Sequence, residues 1–527
     1  MQDANFYFIT LVRNRIRLAV ALFILLFSPL SVVFGQAVLP AKLDSMLLDG
    51  KNHFYNLRMD AAAISFDKIQ SEYPEYPHGF IYEAFMTTIR FAMDKQTDSL
   101  ATALNTQVDY AVKIAESYIK RSENKADGHF YLGIANGLRG IYHVAQYNYV
   151  RAYWYGRKAK NNLNDTIKHD AEYNDAYVGL GIFHYYADLL PGVVKFLAGV
   201  LGFQGDKTRG IREIERTRDN GKHFKFEAEF VYYSIRYFLE GDKAASVRGF
   251  KSLYKRYADN HGFAIMLAYH YRRTGFMQRC IEYCESFDKD YVETLPLLTN
   301  AKYYNMAIAS YDLNKFQSAD SLLDVLLSLE TRKSLYYEAA INYYKGHLAD
   351  LRMERTTALS FYRKIRKEKQ AKYWYYVSQM PQRHPMDDLT KTWHEARNNL
   401  FSREFKKSAE LADELAARIA AGERSNNPDF ELLVQDLIAQ NHYYGRRYSK
   451  AETVYGAMRK NIGKMKDEFR RSWIYINYNR CLRQLNEFEL AKKMLDNAHK
   501  LEEEYTRIII SRERFLLKKK EKRTKKA

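Results

Sequence analysis

The sequence predicts an all-α fold, a right-handed solenoid built from successive pairs of helices. Apolar residues recur at a spacing near 3.6 from Ala41 to Lys500, and no alternating strand pattern stands out. Prolines (9) and glycines (25) are few for 527 residues, which suits long uninterrupted helices. A third observation is a small residue, followed four positions later by a larger apolar one, that recurs along the chain.

The recurring pattern is clearest in the segment 50–74, GKNHFYNLRMDAAAISFDKIQSEYP. It carries a small residue at Gly50, then Ala62, Phe66 and the terminal Pro74. A small residue lets two helices cross closely, and the ring fills the groove beside it. The small positions of the second helices are Ala62, Ser246, Cys280, Ala319, Ala358, Ala409, Ala451 and Ala491.

From Ser246 onward the small positions are 34, 39, 39, 51, 42 and 40 residues apart. Four residues beyond them stand Phe250, Cys284, Leu323, Tyr362, Asp413, Tyr455 and Leu495. All of these except Asp413 are apolar or aromatic. The long step contains SQMPQRHPMDD, whose two prolines predict a break between two parts of the array.

These spacings resemble the tetratricopeptide repeat, whose period is about 34 residues. The central segments LGIANGLRGIYHVAQYNYVRAYWYGRKAKNNL, DAYVGLGIFHYYADLLP and GDKTRGIREIERTRDNGKHFKFEAEFVYY resemble the outer-membrane or inclusion-associated tetratricopeptide family that includes the Iml and tetratricopeptide-repeat-thirty-nine proteins. This second likeness covers about a quarter of the chain. What the resemblance implies is a helical-repeat adaptor with no catalytic residues to carry over.

The sequence divides into six segments. We predict a signal peptide or uncleaved anchor at 1–35, an N-terminal repeat at 36–126, an irregular central block at 127–260, repeat arrays at 261–380 and 387–505, and a basic charged tail at 506–527.

The N-terminus has the features of an export signal. The basic segment RNRIR precedes an apolar run from Leu18 to Phe34, and Val33 and Gly35 suit a cleavage site that leaves Gln36 first. We therefore expect an exported protein of the bacterial periplasm or cell envelope. An uncleaved anchor is the alternative.

Within the central block, Leu190, Pro191 and Gly192 predict a break between two helices. The second helix, 193–203, has a wide apolar face but is too short to span a bilayer, which needs about 20 residues. Burial between repeats is one interpretation of this helix. Contact with a membrane or a partner is the other.

No motif of catalysis stands out, so we predict a protein without enzymatic activity, cofactor or metal. No His-Glu-x-x-His, Gly-x-Ser-x-Gly or Cys-x-x-Cys sequence is present. Cys280 and Cys284 lie one helical turn apart on an expected buried face, where free cysteine behaves as a small hydrophobe.

The net charge of +19 favours acidic partners or anionic surfaces. Part of this charge lies in the C-terminal run LLKKKEKRTKKA, which we expect to be a solvated, frayed end. Attraction to an anionic membrane surface or polymer is the alternative function for this run. Nucleic acid is disfavoured, because no aromatic residue interleaves the basic ones.

In tetratricopeptide arrays the first helix of each pair lines the concave groove, so the resemblance implies where a protein or peptide segment would bind. The groove residues should lie eleven and eight positions before the small residues. The candidates are Tyr269, Arg272, Tyr311, His347, Asn398, Phe401, Gln440, Tyr443, Arg480 and Arg483. We expect stacking and hydrogen bonds, with Arg272 and Arg483 holding acidic groups. The alternative is that several candidates merely pack between repeats.

Two functions remain on this evidence. The first is a scaffold of the cell envelope that binds a protein segment in its groove. The second is a tether that contacts a membrane or anionic polymer through the 193–203 helix and the basic tail. The paired Lys and Asn that similar repeats use to clamp a terminal carboxylate do not appear among the candidates, which disfavours that ligand.

Overall fold

The computed structural model describes residues 39–93, 98–146, 148–188, 205–287, 295–331, 333–368, 370–498 and 504–525. The described residues form 24 α-helices and one short π-helix, and none of them lies in a strand. The prediction of an all-α fold is therefore confirmed. The segment 1–35 and the helix 193–203 lie outside the described residues.

Two compact units divide the chain. The first unit comprises residues 8–267 and 287–299, and the second comprises 268–286 and 300–527, each as far as it is described. The division thus falls inside the segment 261–380 that the sequence suggested as one array. The proline-containing segment 381–386 lies inside the second unit.

The last helix of the first unit also carries residues of the second unit. The helices of the first unit are α1 (Ala41–Tyr55), α2 (Met59–Glu72), α3 (His78–Met93), α4 (Asp98–Arg121), α5 (Lys125–Ala145), α6 (Tyr149–His169), α7 (Ala176–Asp188), α8 (Lys207–Asn220), α9 (Lys225–Ile235) with the π-helix Arg236–Glu240, α10 (Lys243–Arg256) and α11 (His261–Arg273).

The second unit continues the succession of helices. They are α12 (Met277–Glu285), α13 (Pro296–Asp312), α14 (Phe316–Ser328), α15 (Leu335–Leu351), α16 (Arg355–Tyr362), α17 (Lys372–Arg383), α18 (Asp388–Phe401), α19 (Phe405–Ala420), α20 (Phe430–Tyr444), α21 (Tyr448–Ile462), α22 (Glu468–Leu485), α23 (Phe488–Ala498) and α24 (Glu504–Thr524). The first residues of α13 belong to the first unit.

Sequential helices pack as pairs through the small residue and the ring that the sequence pattern identified. In the pair α15 and α16, a Cβ added to Gly346 would lie 2.7 Å from the Tyr362 ring and 3.1 Å from the Ala358 carbonyl oxygen. Gly50 lies against Phe66 in the same way in the pair α1 and α2. Ala358 and Tyr362 are fully buried. These are tetratricopeptide-like helix pairs.

The small position of α19 differs by one residue from the sequence expectation. Ser408 and Ala412 are buried, whereas Ala409 is partly exposed and Asp413 is exposed. The register is therefore corrected from Ala409 to Ser408. This correction also explains why Asp413 was the polar exception in the pattern.

The C-terminal residues form a packed helix rather than a frayed end, which corrects that expectation. Ile509, Ile510 and Leu517 of α24 are buried, and α24 packs on α22 and α23. The glutamate Glu513 is also buried there and pairs with Arg480 at 2.9 Å. The lysines beyond Leu517 remain largely exposed.

The three cysteines are free thiols and are buried. Cys280 and Cys284 are fully buried on α12, as the spacing predicted. Among the described helices, none is long and apolar enough to cross a membrane.

The contact between Gly346 and Tyr362 generates the first test. Gly346→Ala gains helix propensity, but its methyl group must displace a buried ring, and overpacking of this kind costs roughly 1–3 kcal/mol. We expect a lower free energy of unfolding in urea, followed by circular dichroism. The matched control is Gly456→Ala on α21, where the nearest atom to an added Cβ is the flexible end of Glu452 at 3.2 Å.

The control should gain about 0.5–1 kcal/mol, because alanine replaces glycine in a helix without a clash. Equal stabilisation by both substitutions would contradict the close contact of α15 with α16.

Candidate functional site

A recess lies in the second unit among α18, α20 and α22, with further residues from α15 and α17. Its volume is about 70 Å³, enough for a few waters or one side chain. Its wall combines rings, guanidinium groups and amides. These are Tyr343, Tyr373, Trp393, Phe401, Tyr444, Phe469, Trp473, Arg397, Arg470, Arg480, Asp436, Gln440 and Asn477, with Val377, Leu433, Leu437 and Ile474 between them.

Helical spacing brings the wall residues onto one face of each helix. Trp393, Arg397 and Phe401 are four residues apart on α18, so they lie one above another. Asp387 caps the N-terminus of the same helix, and its carboxylate accepts the Thr390 amide at 2.7 Å. This cap satisfies an amide that has no partner within the helix and fixes where the face starts.

The acidic group of the recess is held inside a hydrogen-bonded network. Asp436 accepts hydrogen bonds from Tyr455 at 2.9 Å, from Gln440 at 2.7 Å and from Asn477 at 3.4 Å. Burial raises the pKa of Asp436 to about 6, against the effect of these donors and of the Arg397 charge. Both carboxylate oxygens of Asp436 therefore already accept hydrogen bonds from residues of this chain.

The arginines of the recess lie against aromatic faces. The Arg397 guanidinium is 4.5 Å from the ring centre of Phe401 and 5.7 Å from that of Trp393. The Arg470 guanidinium lies 5.6 Å from the Trp393 ring. Burial, and then the charge of Arg470, lower the pKa of Arg397. The guanidinium groups of Arg397 and Arg470 therefore both lie within reach of the Trp393 ring.

Three of the candidates predicted from sequence line this recess, namely Phe401, Gln440 and Arg480. Gln440 and Arg480 stand eleven residues before a small position, as expected. Phe401 was counted as eight residues before Ala409, and it is seven residues before Ser408 in the corrected register. On α20 it is Tyr444, seven before Ala451, that faces the recess, because seven and eleven lie one turn apart.

Tyr311, His347 and Asn398 are buried inside the unit instead of lining a groove, which corrects their expected position. The Tyr311 hydroxyl is 2.9 Å from His347 Nδ1, and His347 Nε2 is 3.0 Å from His394 Nε2. Asn398 donates to the Tyr311 carbonyl at 3.0 Å. The helix α18 thus occupies the face of α13 and α15 that the sequence assigned to a partner.

The remaining candidates also have neighbours within the chain. Arg272 is buried and donates to Asn305 at 2.8 Å. Arg483 is buried and pairs with Glu513. That the two arginines hold acidic groups of a partner stays a prediction. Tyr269 is buried, and Tyr443 is half-buried beside Tyr444.

Sequence reasoning missed Arg397, Arg470 and Trp473. Arg397 stands eleven residues before Ser408, so the corrected register of α19 would have identified it. Arg470 and Trp473 lie near the start of α22, outside the two positions that were counted. A rule that followed the whole helix face at 3.6-residue spacing would have reached them.

Glu513 of α24 borders the recess through its ion pair with Arg480. Although burial opposes the shift, the charges of Arg480 and Arg483 lower the pKa of Glu513. The carboxylate is therefore held as an anion between two cations, and it fixes the Arg480 side chain at one end of the wall.

The first unit has a buried polar cluster around Lys51 and Asp175. The Lys51 ammonium donates to the His223 carbonyl and lies 5.2 Å from the Tyr82 ring centre. The Asp175 carboxylate accepts the amides of His223 and Phe224 at 2.8 and 3.0 Å. Burial lowers the pKa of Lys51 and raises that of Asp175. These hydrogen bonds connect α1 and the residue before α7 to the turn before α9.

The described side chains show no set of three His, Cys, Asp or Glu residues placed to hold a metal ion. The recess of the second unit combines three kinds of group. Its rings supply apolar area, its guanidinium groups supply charge and its amides supply hydrogen bonds.

Comparison with known proteins finds similarity to solved structures only at low TM-scores. No protein-family model and no curated protein matches the chain. Similar solved structures include the TPR domain of P58(IPK), at 10% identity and a TM-score of 0.20, with 80% of this chain and 97% of that chain covered. Naa15/Naa10 bound to HypK-THB is similar at 12% identity and a TM-score of 0.17, with 92% and 79% covered. At these TM-scores the description of the fold depends on the chain's own helix contacts.

The buried histidines beside the recess predict a pH dependence. Burial lowers the pKa of His347 to about 3, against about 6.5 in an unfolded chain. The unfolded state therefore binds the proton first, and the free energy of unfolding falls as the pH drops below about 6.5. Between about pH 7.5 and about pH 5 one such histidine lowers the free energy of unfolding by about 2 kcal/mol.

His347→Gln removes this contribution, so the difference in unfolding free energy between the two pH values should be about 2 kcal/mol smaller than in the wild type. Urea titrations at both pH values measure it. An unchanged difference would mean that His347 titrates normally.

Proposed function

We propose that this chain is a protein-interaction scaffold without catalytic activity, and that it holds a segment of a partner protein in the recess of the second unit. The observation that supports this most is the convergence of two tryptophans, three arginines and two amides on α18, α20 and α22. Tryptophan, tyrosine and arginine are the residue types that dominate the energy of protein interfaces.

The size of the recess fits one anchoring side chain, with the rest of the segment lying along the helices. The wall contains seven rings beside its guanidinium, carboxylate and amide groups. A segment bound this way gains apolar contact at the rings and direction from the amides and guanidinium groups. Of the candidates, Phe401, Gln440 and Arg480 remain in this proposal as contact residues.

We also propose that the protein works in the bacterial periplasm or cell envelope, because of the basic and apolar sequence in 1–35. The resemblance of the central block to the Iml and tetratricopeptide-repeat-thirty-nine type supports an adaptor role. The intact mass of the protein from its native host distinguishes a chain that begins near Gln36 from one that keeps Met1.

A second candidate function is a tether to an anionic surface. On α24, Phe515 is 64% exposed, and Lys518, Lys519, Lys522 and Arg523 that follow it are exposed as well. Each basic residue near an anionic lipid surface adds about 1 kcal/mol of attraction. Tether binding would fall steeply with ionic strength, whereas binding in a recess of rings would persist.

The scaffold proposal predicts the effect of Trp473→Ala. Removal of a ring from the recess should reduce the recovery of crosslinked envelope proteins at least about tenfold, since a hot-spot residue contributes about 2 kcal/mol or more. Quantitative mass spectrometry after crosslinking in the native host measures this recovery at low and high ionic strength.

The matched control is Trp154→Ala, because Trp154 is 54% exposed on α6 of the first unit. Recovery should not change in this variant. Equal recovery by Trp473→Ala and the wild type, with unchanged melting, would refute the recess as the binding site. A loss with high salt in all variants would favour the tether.

A further inference from the structure

Three arginines and one aspartate are the charged residues that line the recess. The Asp436 carboxylate already accepts hydrogen bonds from Tyr455 and Gln440. Arg480, toward the other end of α22, lies 2.9 Å from Glu513. The guanidinium groups of Arg397 and Arg470 both lie near the Trp393 ring.

Arg470 is the cation best placed to meet a ligand. Its guanidinium lies over the Trp393 ring, and no carboxylate of the described residues forms an ion pair with it. Of the two acidic residues that precede it, Glu468 pairs with Arg471 at 2.9 Å, and Asp467 accepts the Arg470 backbone amide at 2.9 Å and caps α22. The side chain is partly exposed, so its donors can reach an incoming group.

A carboxylate accepts the planar donors of a guanidinium in pairs, so it is the group that Arg470 is best suited to hold.

We propose that the recess receives an acidic side chain, Glu or Asp, from a segment of the partner protein, with its carboxylate at Arg470 and its carbon stem against Trp393 and Trp473. This inference rests on the proposed scaffold function and names the chemistry of the partner.

The test uses a library of short random peptides with acetylated and amidated ends, which carry no terminal carboxylate. The full chain should retain peptides enriched in Glu or Asp at one position next to an apolar residue. A second library with free C-termini reports terminal carboxylates separately. An acidic preference found only there would overturn the proposal.

The best Glu peptide and its Gln analogue are then compared by fluorescence anisotropy. Loss of one charged hydrogen-bonded pair is worth about tenfold or more in Kd, so the wild type should prefer Glu by that factor. Arg470→Gln should bind both peptides alike, and Arg470→Lys should keep part of the preference. A Glu preference that survives in Arg470→Gln would overturn the proposal.

Arg459→Gln on α21 is the matched control, because Arg459 is exposed and lies outside the recess. It makes the same change in net charge and should keep the wild-type preference. One outcome is that peptides bind and that Trp473→Ala abolishes binding, while the Glu and Gln peptides have the same Kd. The scaffold proposal then stands and this inference fails. If the wild type retains no peptide more than Trp473→Ala does, both fail.

Discussion

The close contact between a residue with little side chain and a buried ring sets the geometry of the second unit. Where Gly346 of α15 faces Tyr362 of α16, an added Cβ would lie 2.7 Å from the ring, so the two helices leave no room for a side chain there. The ring also donates a hydrogen bond from its hydroxyl to Asp350 at 2.9 Å. Because the packed interior leaves little free volume, this contact fixes how each helix is turned about its axis and hence which residues face the recess.

The helix α18 has two roles that follow from this packing. One part of its surface buries His394 and Asn398 against α13 and α15, where a continuous groove would otherwise lie. The other part presents Trp393 and Arg397 to the recess. The proposed binding surface is therefore shorter than a groove along the whole unit.

The sequence predicted the helices and their pairing well, because small residues, rings and 3.6-residue spacing are local signals. The one-residue error at Ala409 shows where such signals fail. Two small residues, Ser408 and Ala409, stand side by side, and only packing against α20 decides which is buried. That error moved the expected groove residue from Arg397 to Asn398.

The burial of Tyr311 and His347 could not be predicted from spacing, since it depends on α18, which lies tens of residues away in sequence. Nor did the spacing show that Arg483 meets Glu513, because the C-terminal run looked like a solvated end. Local pattern identifies which helix face is inside a pair. It does not identify which later helix covers the opposite face.

The most direct test of this account is site-specific photocrosslinking in the native host. A photoreactive residue at Gln440, which lines the recess, should trap a partner protein, and the same residue at Thr453, exposed on α21, should not. Adducts that form at Thr453 and not at Gln440 would place the binding surface on the second helices of the pairs and contradict the account.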